Sequence, residues 1–142
     1  MNYAIVFRLL GYILMIEGVL LLLPAVTSLI YAEWAVMGVF LLTAAISGAL
    51  GLGLRTIKPR SKVFYMREGF AATALSWIAI SIVGAVPFVL TGCIPNPVDA
   101  LFETVSGFTT TGASILPAVE GLPNGILFWR SFTHWIGGMG VL

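Results

Sequence analysis

Long apolar stretches alternate with short polar connections along this chain, and their lengths predict its elements. The first stretch runs from Tyr3 to about Ile30, the second from Trp34 to Leu54, the third from Gly69 to Leu90 and the fourth from Gly125 to Leu142. At about 1.5 Å per helical residue, such stretches read as helices that cross roughly 30 Å of hydrocarbon. Pro24 is expected to bend the end of the first. The short Tyr31-Ala32-Glu33 connection makes the first two an antiparallel hairpin. Ala45, Ala49 and Gly53, at four-residue spacing, predict a close-packing face on the second helix. Gly48, Gly51 and Gly53 do not form a nucleotide loop, because the spacing is wrong and no strand precedes them.

A different pattern separates the third and fourth stretches. Asn96-Pro97-Val98-Asp99 is a helix start, with Asn96 as N-cap, Pro97 at the first helical position and Asp99 near the positive end of the dipole. The helix predicted from Pro97 to Phe108 covers only about 18 Å, half a bilayer. Behind it comes a small, polar, glycine-punctuated run, Gly107 to Ser114. Irregular backbone at membrane depth persists only where protein buries it or water lines it, so this layout predicts a re-entrant pore loop.

Composition fixes the solvent. With 59% hydrophobic and 9% charged residues, far from the usage of soluble domains, the chain is an integral membrane protein. The first apolar run lacks a cleavage site ahead of polar sequence and is read as a retained span, with Met1 as the start of the mature chain. A formal net charge of +1 argues against a nucleic-acid or acidic partner. The single cysteine, Cys93, excludes an internal disulfide framework and reads as a small apolar filler. Five of the 7 Lys and Arg residues, namely Arg55, Lys58, Arg60, Lys62 and Arg67, lie between the second and third stretches. The positive-inside rule puts that connection and the amino terminus, with Arg8, in the cytoplasm. The segment from Ile94 to Asn124 then enters the membrane from outside. The basic cluster is expected to set topology and meet lipid headgroups, or else to dock a cytoplasmic partner.

The loop chemistry follows from residue type. A dehydrating alkali cation needs several oxygens at fixed positions without a full negative charge, and backbone carbonyls in an extended loop provide them. The half-helix aims its negative end at the membrane centre, which favours a cation there. Gly112 permits positive φ, so that neighbouring carbonyls can share a direction. Thr109, Thr110 and Thr111 add hydroxyls that brace the loop or donate an oxygen, and Ala113 and Ser114 complete it. Glu103, one turn after Asp99, is expected to brace the loop through hydrogen bonds rather than touch an ion. Asp99 is read as part of the cap, with a cation-attracting role compatible with that. Arg130 and His134, four apart, share a face of the last helix, where Arg130 reaches the interface or pairs with an acid. Glu17, inside the first span, is expected to have a buried hydroxyl or amide partner. Gly137, Gly138 and Gly140 suit close helix contact, or bending near a gate.

Residues Asp99 to Leu116, with Gly107-Phe-Thr-Thr-Thr-Gly-Ala-Ser114 at their centre, followed by Leu127 to Leu142, resemble the first pore repeat of Trk-type potassium uptake transporters of the Trk/Ktr/HKT superfamily. The likeness extends over the whole chain, including the hairpin and Arg67-Glu68-Gly69-Phe70. It implies an all-α integral membrane fold: residues 1–56 as a transmembrane hairpin, then 57–142 as the first of four helix, pore loop, helix repeats about a pseudo-fourfold axis. Within that repeat the expected parts are a spanning helix 69–91, a half-helix 97–108, a filter 109–114 and a truncated second helix 125–142. The resemblance implies potassium coordination by backbone at Thr110 and Thr111, with Gly112 as filter glycine. Serine replaces that glycine in sodium-conducting relatives, so Gly112 leans toward potassium. Also implied are the cytoplasmic (inner) membrane of a prokaryote, a homodimer when complete, a cytoplasmic nucleotide-binding regulatory subunit, and no cofactor beyond the transported K+. One repeat supplies a quarter of a filter, so the chain is expected to be an amino-terminal fragment lacking the later repeats. The alternative is a small accessory or assembly subunit with no pore of its own. An enzyme is not expected, for there is one His, no Cys pair, no paired acidic motif and no nucleophile elbow.

Overall fold

A computed structural model describes residues 2–59, 63 and 65–140. Its helices are α1 (Tyr3–Leu20), α2 (Leu22–Ile30), α3 (Trp34–Arg55), α4 (Met66–Leu90), α5 (Pro97–Phe108) and α6 (Asn124–Gly140), with no strand among the described residues. Arg60 and Lys62 of the basic connection, and Val141 and Leu142 of the last apolar stretch, lie outside the described residues.

Three helical rods have the length and composition to cross a membrane: Tyr3–Ile30, Trp34–Arg55 and Met66–Leu90. In the first, the interruption falls at Leu21, three residues before Pro24. Leu21 keeps right-handed angles (φ −64°, ψ −16°) and its N–H still donates to the Glu17 carbonyl at 2.9 Å. Pro24 has no N–H to offer the Leu20 carbonyl, so one bond of the ladder is missing there. The third rod starts at Met66, ahead of the expected Gly69, because the Glu68 carboxylate caps it. Glu68 accepts from the Tyr65 N–H at 3.2 Å and from the Asn2 N–H at 3.1 Å, tying the amino end of α1 to α4. Helix α6 is described over 17 residues, about 25 Å at 1.5 Å per residue.

The hairpin is closed by glycines on a face other than the expected one. A Cβ on Gly11 would lie 2.7 Å from the Gly51 carbonyl oxygen, and one on Gly18 would lie 3.1 Å from that of Ala44. Residues 11 and 18 on α1 thus meet 51 and 44 on α3, a seven-residue register running in opposite directions. Across this crossing the Ser47 hydroxyl donates to the Leu14 carbonyl at 2.7 Å. Ala45, Ala49 and Gly53 are exposed instead. Small residues occur all round α3, and its partner's Gly11 and Gly18 decide which of them approach.

Trp129 of α6 is the hub of the core, with 0% exposure. Its indole N–H donates to the Gly84 carbonyl of α4 at 2.9 Å, and its ring meets Phe40 of α3 and Phe108 of α5 edge-on, each at 6.3 Å between centroids. Such a buried indole needs its N–H satisfied, and the close approach at Gly84 provides the acceptor. The start of α6 is fixed from far away in sequence. Glu33, in the α2–α3 turn, accepts from the Asn124 N–H at 2.7 Å, from the Asn124 side chain at 3.2 Å and from the Gly125 N–H at 3.0 Å. A carboxylate at a helix start satisfies otherwise orphaned donors and opposes the dipole. Glu33→Ala is expected to lower stability by about 1–2 kcal/mol, read as a fall in thermal midpoint, while Glu33→Gln, which keeps an acceptor, falls less.

Candidate ion-coordinating loop

Helix α5 forms as its sequence dictates. The Asn96 side chain accepts from the Val98 N–H at 3.1 Å, and Pro97 stands in the first turn with Asp99. Its buried residues Ala100, Glu103, Thr104, Gly107 and Phe108 repeat at helical spacing, while Leu101, Phe102 and Val105 face outward.

Its carboxyl end organises the loop. The Thr110 N–H donates to the Gly107 carbonyl at 2.9 Å, and the Thr111 N–H to that of Ser106 at 3.0 Å. These are the two bonds of a Schellman cap, whose left-handed residue is usually glycine. Here that residue is a threonine, Thr110, at φ 56°, a conformation unfavourable by roughly 1–2 kcal/mol for an L side chain. The Gly112 N–H also reaches the Ser106 carbonyl, at 3.4 Å, and the Thr109 N–H reaches that of Val105 at 2.9 Å. Gly112 is left-handed too, at φ 79°.

One geometric result matters most. Each peptide is trans, so a carbonyl points opposite to the N–H that follows it. Because the N–H groups of Thr110, Thr111 and Gly112 all turn back to the helix end, the carbonyls of Thr109, Thr110 and Thr111 all point away from it. Among the described residues these oxygens, and that of Gly112, accept no hydrogen bond. The segment from Thr109 to Ile115 is exposed. Side chains hold it from behind: Thr109 Oγ1 donates to the Val105 carbonyl at 2.7 Å and lies 2.8 Å from Thr111 Oγ1. The Ser106 hydroxyl donates to the Ala113 carbonyl at 2.5 Å.

The return of the loop is anchored on Glu103, which is buried. Its carboxylate accepts from the Ser114 hydroxyl at 3.0 and 3.1 Å, from the Ile115 N–H at 3.0 Å and from Arg130 Nε at 2.6 Å. One carboxylate therefore joins α5, the loop and α6. The structure joins Glu103 to Ser114 and, separately, Thr109 to Thr111; Asp99 stays in the first turn, about 15 Å from Thr109 along the axis. His134 Nδ1 lies 3.0 Å from the Arg130 carbonyl, tied to its own helix. A Cβ on Gly137 would overlap the Phe108 carbonyl, so this glycine serves close contact between α6 and the end of α5. Glu17 departs from expectation: it is 5% exposed, yet neither carboxylate oxygen finds a partner among the described residues. It borders a small cavity of about 80 Å³ with Ile80, Phe108 and Ile136, and those apolar neighbours offer no donor.

Ser106 carries no side-chain signal of its role in the sequence, although its carbonyl takes two loop amides and its hydroxyl donates to the Ala113 carbonyl. Only its position, one turn before Thr110 on a helix that must end in a cap, signals that role. The Arg130 partner was open in sequence and proves to be Glu103. Among the described residues no group of three His, Cys, Asp or Glu side chains stands close enough to hold a metal.

These features define an all-helical, multi-pass membrane protein with a capped short helix and an outward-facing carbonyl loop between its last two long elements. Residues 30–142 match the TrkH family, described as cation transport protein, and the chain belongs to that family. It is 38% identical over 138 residues to an uncharacterised cation transporter of Methanocaldococcus jannaschii, covering 96% of the chain and 28% of that relative. It is 36% identical over 145 residues to the Trk system potassium uptake protein TrkH of Halomonas elongata, covering 100% of the chain and 30% of the relative. With the protein of the same name from Escherichia coli K12 the identity is 35% over 147 residues, again with 100% and 30% covered. The chain thus spans under a third of the length of these relatives. By name, one of these relatives is a cation transporter and two are potassium uptake proteins.

Proposed function

We propose that this chain takes part in potassium uptake across the membrane, with residues 109–112 forming one wall of the selectivity filter. The observation that carries this reading is the run of carbonyls at Thr109, Thr110 and Thr111, turned one way and free of donors. Neutral oxygens replace water around an alkali cation without trapping it. The end of α5 adds about half a negative charge behind them. The remaining walls come from further repeats of the same kind in the complete transporter. Glu103, Ser106 and Ser114 act as positioning residues, and Asp99 belongs to the cap.

Gly112 offers the direct test, because a Cβ there would meet nothing within 4 Å. Within this chain a substitution therefore acts through φ and not through a clash of its Cβ. In the longest polypeptide the gene encodes, expressed in cells lacking other potassium uptake, Gly112→Val is expected to cut rubidium uptake at least about tenfold with membrane levels unchanged. Unaltered uptake and selectivity would reject the filter and favour an accessory role.

A further inference from the structure

We infer that the basic end of the α1–α3 hairpin binds the phosphate of an anionic phospholipid, whose acyl chain lies in the groove continuing from it. This inference is independent of the ion path. Arg8, Arg55, Thr56 and Lys58 line a cavity of about 440 Å³ at this end. The ion pair found among the described residues joins Arg130 to Glu103, so Arg8, Arg55 and Lys58 face one cavity with no acid to offset them. Arg8 Nε is buried and has no hydrogen-bond partner among the described residues. The Arg55 guanidinium sits over the Tyr12 ring, 5.4 Å from its centroid, which holds its head at the mouth. Three cations sharing one cavity repel one another and call for an anion, and a phosphodiester accepts from guanidinium forks at two oxygens.

The groove decides which phosphate. A second cavity, of about 400 Å³ and lined by apolar residues, lies in the same crease between α1 and α3. From the first rod it takes Met15 and Val19 of α1 and Leu22 at the start of α2, and from α3 Leu52, Gly48 and Leu41. Counting from Arg8, the residues of the first rod follow at 7, 4 and 3. Counting back from Arg55, the α3 residues follow at 3, 4 and 7. Both are helical same-face spacings, so each arginine heads the stripe that walls the groove. The groove floor is open at Gly48, where a Cβ would meet nothing within 4 Å. From Arg8 to Leu22 the crease extends about 21 Å, enough for a chain reaching the middle of a roughly 30 Å hydrocarbon core. A free phosphate uses only the mouth, whereas a lipid uses both parts. Anionic lipid is also what the cytoplasmic leaflet presents to basic residues.

The test is native mass spectrometry of the longest polypeptide the gene encodes, released from nanodiscs containing phosphatidylglycerol and phosphatidylcholine. Retained phosphatidylglycerol is expected to exceed retained phosphatidylcholine at least tenfold. Each of Arg8→Gln, Arg55→Gln and Lys58→Gln is expected to weaken retention about fivefold, and the triple variant on the order of 100-fold. Arg8→Lys with Arg55→Lys keeps the charge but loses the forks and is expected to bind between the parent and the Gln variants, which separates lost charge from lost fold. Gly48→Leu, filling the groove, is expected to weaken dioleoyl phosphatidylglycerol but not the dihexanoyl form. Equal retention of the two headgroups, or a triple variant that binds as the parent does, would overturn the inference. So would full competition by millimolar inorganic phosphate with no dependence on chain length, which would make this a free-phosphate site.

Discussion

Arg130→Ala is expected to destabilise the protein by about 3–5 kcal/mol, and Glu103→Ala by less, about 2–3 kcal/mol. The asymmetry follows from exposure: the Arg130 side chain is 24% exposed and that of Glu103 only 2%. Removing the arginine strands a carboxylate in the interior, held by Ser114 and the Ile115 N–H alone. Removing the carboxylate leaves a guanidinium that can turn toward water. Denaturant unfolding of both single variants and of the Glu103→Leu/Arg130→Leu double measures this. The double is expected to cost less than the sum of the singles, because neither charge is then left behind. A larger loss for Glu103→Ala than for Arg130→Ala would contradict the assignment of Arg130 as the group that neutralises Glu103. Both singles are also expected to lower cation uptake, since they release the return of the loop at Ser114.

Gly137→Ala should have the second large effect. Besides overlapping the Phe108 carbonyl oxygen, its Cβ would lie 2.6 Å from the carbonyl carbon and 2.9 Å from Cα of Phe108. These are backbone atoms of the last turn of α5, and no rotamer change relieves them. Helix α6 must move away from the end that shapes the loop, at about 1–3 kcal/mol for an overpacked contact. Uptake is expected to fall at least about tenfold, because displacements near 1 Å spoil coordination geometry. Its neighbour is the control: a Cβ on Gly138 would be 3.9 Å from Thr110 Cγ2, an ordinary contact. Gly138→Ala is therefore expected to leave uptake and stability close to the parent, measured by ion flux and thermal midpoint in the same preparations. Equal effects at both positions would show that glycine flexibility in α6, and not its contact with Phe108, is what matters.

What the sequence reveals and what it hides divides by range. The bounds of α5 were legible because their signals are local: an Asn cap, a proline in the first turn, an acid beside it and a polar run after Phe108. The spans were legible from apolar length. The clasp of Glu103 on Arg130 spans 27 residues, and that of Glu33 on Asn124 spans 91. No periodicity connects such pairs. The wrong face of α3 has the same origin, since the choice among its small residues is made by Gly11 and Gly18 on another helix. Thr110 is the sharpest case. A threonine gives no sign of a left-handed backbone, and only the amides collected by Ser106 and Gly107 hold it there.

The orientation of the loop has a consequence for its own cohesion. Three carbonyl dipoles set side by side, with no donor before them, repel one another through their oxygens. The hydrogen bonds at the back of the loop, to Val105, Ser106 and Gly107, resist that repulsion from behind. A cation in front relieves it directly. Occupancy and loop order are then linked quantities, each favouring the other by the same free energy. On the filter reading proposed above, a cation seated in front of these oxygens would be what lets the segment rest.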